Sequence, residues 1–197
     1  MTEHSKYSVS ARTFLRVFKQ CGVEFVTTVP DMLQIALHQM LDRGDTGIKV
    51  VHCTTEDQAI ETAAGLYAGG RNAAVLVQNQ GFYAGINSLR ALGLDARVPL
   101  FFVIGQFGRE FSNLGGDPRQ SQRRMVRMLE PLLEMLEVPY WRLEGPEDIP
   151  NIERAWRASR ERSGPSVLIV GHFIGWDNET IDQGVNSDEH ARSLQRA

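Results

Sequence analysis

A single carboxylate lies where a predicted strand changes into a predicted helix. The apolar run 48–51 is typical of a buried strand that ends at His52, and four residues later Glu56 opens a helical pattern. Small and apolar residues recur at helical spacing in that pattern, at Ala59, Ile60, Ala63, Ala64 and Tyr67. Because ligands bind outside the carboxyl ends of the strands in an open α/β sheet, Glu56 is a candidate catalytic acid.

An ordinary helix start explains the same residues. Thr55 and Gln58 have the spacing of a capping box, in which side chains satisfy the free N–H groups of the first turn. Glu56 and Asp57 also interact favourably with the positive end of the helix dipole. The local pattern therefore leaves two interpretations of Glu56 open, a catalytic acid and a helix-start acid.

Further polar residues follow other predicted strands at the point where each strand ends. They are Pro30 and Asp31 after the first strand, Gln78, Asn79, Gln80 and Gly81 after the third, and Gln106 after the fourth. Because parallel strands end at one edge of a sheet, we expect these residues along the same edge as Glu56. Asp31 is either a group that contacts substrate or relays protons, or a helix cap.

Other polar residues near this edge have simpler explanations. His52 is best interpreted as a strand-end histidine with a satisfied hydrogen bond. Four arginines could meet an anionic substrate group, although a solvated basic face explains most of them: Arg109, Arg119, Arg123 and Arg124.

These residues are positioned by six predicted strands that alternate with helices. The strands are predicted at 25–29, 48–52, 73–78, 100–104, 138–142 and 166–170, and the helices at 11–21, 33–41, 56–68, 82–92, 123–136 and 147–162. Each strand is a near-continuous apolar run, which is typical of a sheet covered on both faces. We therefore predict an α/β three-layer sandwich whose six-stranded, mainly parallel sheet is flanked by helices. The long connection 105–122 is of the length that is often functional.

Composition excludes several classes of function. The 197 residues carry a net charge of -3, which gives no electrostatic basis for binding nucleic acid or a membrane surface. The two cysteines form no metal or redox motif, and a reducing cytoplasm is the simplest location.

We expect one domain at 10–174, preceded by a polar arm at 1–9 and followed by a polar tail at 175–197. No dinucleotide, P-loop, serine-hydrolase or zinc-protease motif occurs.

Five segments, in this order, carry a resemblance to a known family. They are GVEFVTTVPD (22–31), EDQAIETAAGLYAGG (56–70), VLVQNQGFYAGINSL (75–89), VPLFFVIGQFG (98–108) and LLEMLEVPYWRLE (132–144). The chain resembles the pyrimidine-binding (PYR) domain of thiamine diphosphate enzymes, specifically the small α subunits of the sulfopyruvate and phosphonopyruvate decarboxylase group. The resemblance implies the PYR-type fold for the domain.

The resemblance also implies roles for the strand-end residues. Glu56 would bond N1′ of the cofactor's aminopyrimidine and so promote loss of the proton from thiazolium C2, and Asp31 would be a second catalytic acid. Cofactor contacts are expected from Glu56, Pro30, Gln78, Asn79 and Gly81, and substrate contacts from Gln80, Phe82 and Gln106. The substrate would be a 2-oxo acid that loses CO₂.

A partner subunit is implied by what the sequence lacks. Family members hold Mg²⁺ and the diphosphate through a GDG…N element, and no Gly-Asp-Gly occurs here. We therefore expect a β subunit that carries the diphosphate-binding (PP) domain, in an α₂β₂ or larger assembly. The small-residue helix from Glu56 and the helix after Gly81 would be contact surfaces.

The residues around the expected pocket depart from the family pattern. Gln80-Gly81-Phe82 stands in place of an SGLGN-like element, and Gln106-Phe107-Gly108 in place of a WRG-like element. These changes favour a less anionic or more apolar 2-oxo acid, or carboligation in place of simple decarboxylation. The alternative from another class of function is a non-catalytic assembly subunit of the same fold. The presence of Glu56 argues against this alternative.

Overall fold

Six parallel strands form the centre of the protein, whose computed structural model describes residues 6–176. The strands lie in the order β2-β1-β3-β4-β6-β5. Their bounds are Phe25–Thr28 (β1), Lys49–His52 (β2), Ala73–Gln78 (β3), Phe101–Gly105 (β4), Tyr140–Leu143 (β5) and Ser166–Val170 (β6). Every strand pairing is parallel, so the predicted six-stranded sheet is confirmed and is parallel throughout.

Eight α-helical segments are described in residues 6–176. They are Ala11–Gln20 (α1), Ile35–Asp42 (α2), Glu56–Ala68 (α3), Asn79–Ala84 (α4), Ile86–Ser88 (α5), Arg124–Arg127 (α6), Leu129–Met135 (α7) and Pro150–Arg162 (α8). A π-helix, Leu89–Asp95, follows α5, and short 3₁₀ turns lie at Met32–Gln34, Phe111–Asn113, Pro118–Gln120 and Pro146–Asp148. None of the helices found between residues 6 and 176 is long and apolar enough to cross a membrane.

The helices bury their apolar sides against opposite faces of the sheet. Helices α1, α2 and α8 contribute Phe14, Leu37 and Trp156 to the core on one face. Helices α3, α4 and α7 contribute Ile60, Phe82 and Leu133 to the core on the other face. The three layers agree with the predicted sandwich, because each apolar helix stripe needs a sheet face to cover it.

Two predicted helices are interrupted in the structure. The helix predicted at 82–92 begins earlier, at Asn79, and is broken at Gly85. A Cβ at Gly85 would lie 2.6 Å from Cδ1 of Ile60, so a glycine is needed where this segment crosses α3. The helix predicted at 123–136 is divided at Met128 into α6 and α7.

The segments at both ends of the described chain meet. Val9 is buried, the Ala11 N–H donates to the Gly175 carbonyl at 2.9 Å, and the Gly175 N–H donates to the Val9 carbonyl at 2.9 Å. The described end of the predicted arm therefore packs on the domain. Most of the predicted polar tail, from residue 177 onward, lies outside the described residues.

Strand register aligns the carboxyl ends at one edge. Thr28 of β1 is opposite His52 of β2 and Leu76 of β3, while Gly105 of β4 is opposite Gln78 and Val170. Strand β1 lies between β2 and β3, so the chain leaves β1 toward one side and later returns to its other side. Such a reversal opens a crevice at the carboxyl edge, where ligands bind in α/β sheets.

Candidate active site

Glu56 is the first residue of α3, and its side chain packs on Gly81 at the start of α4. A Cβ at Gly81 would overlap the Glu56 carboxyl group, so only glycine leaves room for this position of the acid. Glu56 is half-buried, and none of the residues in 6–176 forms a hydrogen bond or ion pair with its carboxylate. The acid is therefore fixed in place by packing and free to bond an external group.

The capping box predicted between Thr55 and Gln58 does not form. The Thr55 side chain makes no capping bond in α3. Instead, the Gln58 amide oxygen accepts hydrogen bonds from the N–H and the hydroxyl of Thr54, both at 2.9 Å. Thr55 bonds the Asp57 carboxylate, and this contact lowers the pKa of Asp57. The helix start is thus satisfied without Glu56.

Asp31 lies buried at the end of β1, 2% exposed, against the backbone of β4. Its side chain occupies the space that a Cβ at Gly105 would fill. Oδ1 accepts from the Leu33 N–H at 3.0 Å, and Oδ2 accepts from Nε2 of Gln34 at 2.9 Å. The aspartate caps the 3₁₀ turn Met32–Gln34, as the helix-cap interpretation predicted, and a role of Asp31 toward the substrate stays a prediction.

Burial raises the pKa of Asp31, and the hydrogen bonds from Gln34 and Leu33 oppose that shift. The neighbouring His38 accepts a hydrogen bond at Nε2 from the Asp31 N–H, at 3.2 Å. Burial lowers the pKa of His38 to about 4, which keeps the imidazole neutral. An aspartate with a raised pKa and a neutral histidine therefore lie side by side at the end of β1.

The polar side chains after β3 mostly form hydrogen bonds with each other or with a later segment of the chain. Nδ2 of the buried Asn79 donates to the carbonyls of Phe107 at 3.1 Å and Met125 at 3.3 Å. Gln78 bonds Gln80 at 2.7 Å, and Nε2 of Gln80 is 3.0 Å from the sulfur of Met125. These side chains lie at the predicted edge, but their contacts beyond the segment are with Phe107 in the loop after β4 and with Met125 in α6.

Three other predictions can be compared with the structure. Phe82, predicted to meet substrate, is fully buried and packs edge-on against Phe102 with ring centroids 5.5 Å apart, so its ring belongs to the core. Pro30 is exposed after β1. His52 is a satisfied strand-end histidine, as predicted, since Nε2 lies 2.9 Å from the Asp42 carboxylate.

Gln106 lines a cavity of about 410 Å³ beside the ends of β4 and β6. Its side chain is fully buried, and Nε2 has no hydrogen-bond partner among the described residues. Apolar side chains form much of the wall: Leu33, Phe107, Phe111, Leu114 and Phe173. Buried polar atoms are normally hydrogen-bonded, so an unpaired donor on a residue that lines a cavity indicates a place for a ligand or water.

The loop after β4 is held by a buried arginine. Arg109 is ion-paired with Glu144, and their side chains are only 1% and 14% exposed. Its guanidinium also donates to the Asn113 side chain and to the carbonyls of Asn113 and Gly116, each at 3.0 Å. One side chain therefore ties the loop to the segment after β5.

Sequence reasoning found only part of this half of the edge, namely Gln106, Arg109 and Arg123. The cavity includes Gly171, His172 and Phe173 after β6, and the loop depends on Glu144 after β5. In the sequence, the length of the connection 105–122 was the feature that could have indicated this part of the site. Across residues 6–176, no group of three or more His, Cys, Asp and Glu side chains is arranged to hold a metal ion.

The comparisons with known proteins agree on one family. The family described as "Thiamine pyrophosphate enzyme, N-terminal TPP binding domain" matches residues 10–126. The "Sulfopyruvate decarboxylase subunit alpha" of Methanococcus maripaludis is 31% identical over 128 residues, which are 64% of this chain and 72% of the relative. The protein of the same name from Methanothermobacter thermautotrophicus is 29% identical over 122 residues, 62% of this chain and 70% of the relative.

A solved structure has the same fold. The crystal structure of benzoylformate decarboxylase from Polynucleobacter necessarius superposes with a TM-score of 0.61 at 17% identity, covering 82% of this chain. This chain corresponds to 29% of that much longer protein. The prediction of an enzyme chain of the carboxy-lyase class agrees with relatives that are all named decarboxylases. This chain belongs to the thiamine pyrophosphate enzyme family and contains its N-terminal TPP-binding domain.

Proposed function

We propose that this chain is the α subunit of a thiamine diphosphate-dependent decarboxylase that acts on a sulfopyruvate-like or phosphonopyruvate-like 2-oxo acid. The position of Glu56 is the observation that carries the proposal. Its carboxyl group packs on Gly81, has no partner among residues 6–176 and lies at the edge where α/β proteins bind ligands. The relatives named sulfopyruvate decarboxylase subunit alpha support the substrate class.

The residues present fit the aminopyrimidine end of the cofactor. A carboxyl group that is fixed by packing yet lacks an internal partner suits a hydrogen bond to a ring nitrogen. When bound, thiamine diphosphate supplies the electron sink for loss of CO₂ from a 2-oxo acid. Glu56 would hold the proton shared with the aminopyrimidine, and Pro30, Gln78, Asn79 and Gly81 would surround that end.

Two further residues would act on the substrate side. Asp31 is buried and retains its proton more strongly than an exposed aspartate, which suits a group that donates a proton. Gln106 presents an unpaired N–H donor to the cavity, and Gln80 is exposed at the mouth of the turn after β3.

A partner subunit completes the proposal. The relatives' designation as subunit alpha supports a β subunit, which would hold Mg²⁺ and the diphosphate through a GDG…N element. The exposed small residues of α3, Gly65 and Ala68, would face that partner, in an α₂β₂ or larger assembly.

The test compares Glu56→Gln with Asp57→Asn in the α/β complex. Both acids lie in the first turn of α3, but Asp57 is bonded to Thr55. We expect Glu56→Gln to retain thiamine diphosphate binding by calorimetry and to lose about 10²- to 10⁴-fold in kcat, the range for a group that moves protons. Asp57→Asn should keep its kcat. If Glu56→Gln turns over like wild type, Glu56 is a helix-start acid and the chain is better assigned as a non-catalytic assembly subunit.

A further inference from the structure

Four arginines near the carboxyl edge differ in what they contact. Arg109 is paired with Glu144, and Arg119 is paired with Glu130 and Glu134. Arg124 is exposed and is not among the residues that line the cavity. Arg123 lines the cavity, and its guanidinium has no hydrogen-bond or ion-pair partner among the described residues. Of these four, Arg123 is the one that lines the cavity without an ion-pair partner, and like Arg124 it is exposed.

The backbone around Arg123 is fixed so that its side chain reaches the cavity. Glu110 accepts hydrogen bonds from the Ser121 hydroxyl at 2.7 Å and from the Gln122 N–H at 2.9 Å. The Arg123 N–H donates to the Ser121 hydroxyl at 3.1 Å. Glu110 also lines the cavity, and each of its carboxylate oxygens accepts one of these hydrogen bonds, neither of them from the Arg123 guanidinium. It therefore holds the turn that presents Arg123 and does not pair with the guanidinium.

The Arg123 side chain contacts Gly108 in the loop after β4. A Cβ at Gly108 would lie 3.3 Å from Cδ and 3.5 Å from Nη1 of Arg123, so the side chain passes directly over this residue. Gly108 has a φ of 91°, which other residues adopt only with strain. The backbone conformation requires glycine here, and an added Cβ would also lie 2.7 Å from Cε of Met125, whereas the Arg123 atoms lie near van der Waals contact.

We propose that Arg123 and Nε2 of Gln106 recognise a tetrahedral oxyanion, the sulfonate or phosphonate at the end of the substrate distant from its 2-oxo group. This inference rests on the proposed function and names the residues that select the substrate. The cavity offers one exposed guanidinium without an ion-pair partner and one buried unpaired donor, within walls that are largely apolar. A guanidinium and an amide N–H are the donors that such oxygens accept from. The aromatic walls would contact the carbon chain.

The first test measures binding without turnover. In calorimetry on the α/β complex and on the full-length chain, 3-sulfopropanoate is the probe, and butanoate, which has a methyl group in place of the sulfonate, is the control ligand. We expect Arg123→Gln to weaken 3-sulfopropanoate binding by about 10- to 100-fold, the range for a charge-assisted hydrogen bond, and to leave butanoate binding unchanged. The matched variant Arg124→Gln should bind both ligands like wild type.

Gln106→Met separates ligand recognition from structural support. Methionine removes the unpaired N–H donor together with Oε1, which accepts only a long hydrogen bond of 3.5 Å from Nη1 of Arg109, so the unfolding free energy should change little while 3-sulfopropanoate binding weakens. A loss of stability without a loss of affinity would assign Gln106 a structural role and overturn its part in recognition.

Kinetics of the complex provide the second test. Arg123→Gln should raise KM for sulfopyruvate more than for 2-oxobutanoate. Equal affinity of the wild-type cavity for 3-sulfopropanoate and butanoate, or equal effects of Arg123→Gln and Arg124→Gln, would overturn the proposal in favour of an apolar substrate or a diffuse basic surface. If the binding results hold but no 2-oxo acid is decarboxylated, the proposed function fails and the oxyanion site stands.

Discussion

The two halves of the carboxyl edge are built by different physical means. The glutamate side, formed by the ends of β1, β2 and β3, brings Glu56 and Asp31 into position through close contact with Gly81 and Gly105. The loop side, formed by the ends of β4 and β6 with loop 106–122 and residues 171–173, is held by buried ion pairs such as that of Arg109 with Glu144. Packing positions Glu56 on one side, where hydrogen bonds from Leu33 and Gln34 also hold Asp31, whereas charge pairing fixes a long loop on the other.

The difference suits what each side is proposed to do. A carboxyl group that must bond an external ring nitrogen cannot already be paired, so the glutamate side orients it without any polar contact. A loop of this length has few apolar residues to bury, so polar contacts must hold it in one conformation. The two sides should therefore respond differently to substitution and to pH.

Breaking the central ion pair of the loop side should have the largest effect on stability. Arg109→Met would leave Glu144 mostly buried without its partner, and we expect the unfolding free energy to fall by about 3–5 kcal/mol. The matched variant Arg90→Met removes a pair with Asp95 whose side chains are 52% and 62% exposed, so its effect should stay within about 1 kcal/mol. Urea unfolding of the full-length chain measures both variants.

The double variant Arg109→Met/Glu144→Met refines this result. Replacing both members of a buried pair with apolar residues often restores stability, because no unpaired charge remains. We expect recovery of much of the loss. Equal effects of Arg109→Met and Arg90→Met would show that the pair does not hold the loop side.

The sequence predicts the two sides unequally, and their construction explains why. Each strand is a local apolar run, and Glu56 is predicted as a candidate acid from the segment that contains it, although that segment alone also fits a helix start. The Arg109–Glu144 pair joins residues 35 positions apart, and the cavity wall includes residues that follow β6, so no local pattern reveals either. Phe82 was assigned to the substrate because an aromatic residue after a glycine turn looks the same in sequence whether its ring faces a ligand or the core.

On the glutamate side, acid should destabilise the protein through His38. Its pKa is about 4 in the folded protein against an ordinary value of 6.5, because burial outweighs the attraction of Asp42. The unfolded chain therefore binds the proton more tightly, and the stabilising contribution is lost as pH falls from 6.5 to 4. We expect a loss of about 3 kcal/mol over this interval at most.

Urea unfolding between pH 4 and 7 checks this dependence, with His38→Gln as the control. Glutamine cannot take up the proton but can still accept from the Asp31 N–H, so the curve for the variant should be flatter than that of wild type. Asp31 contributes with the opposite sign, because its raised pKa makes stability fall as pH rises through the folded value. Identical slopes for wild type and His38→Gln would exclude His38 as the titrating group.

The smallest change in stability should accompany a large change in activity at Gly81. An added Cβ in Gly81→Ala would overlap the Glu56 carboxyl group, which can rotate away because it ends a flexible side chain. We expect a cost of about 1 kcal/mol in unfolding free energy, and a loss of about 100-fold in kcat in the α/β complex because the acid is displaced. Gly65→Ala is the matched control, since a Cβ there meets nothing within 4 Å and alanine favours the interior of α3 by about 0.5–1 kcal/mol. If Gly81→Ala kept wild-type kcat, the position of Glu56 would not depend on this contact, and packing could not be the means by which the glutamate side orients its acid.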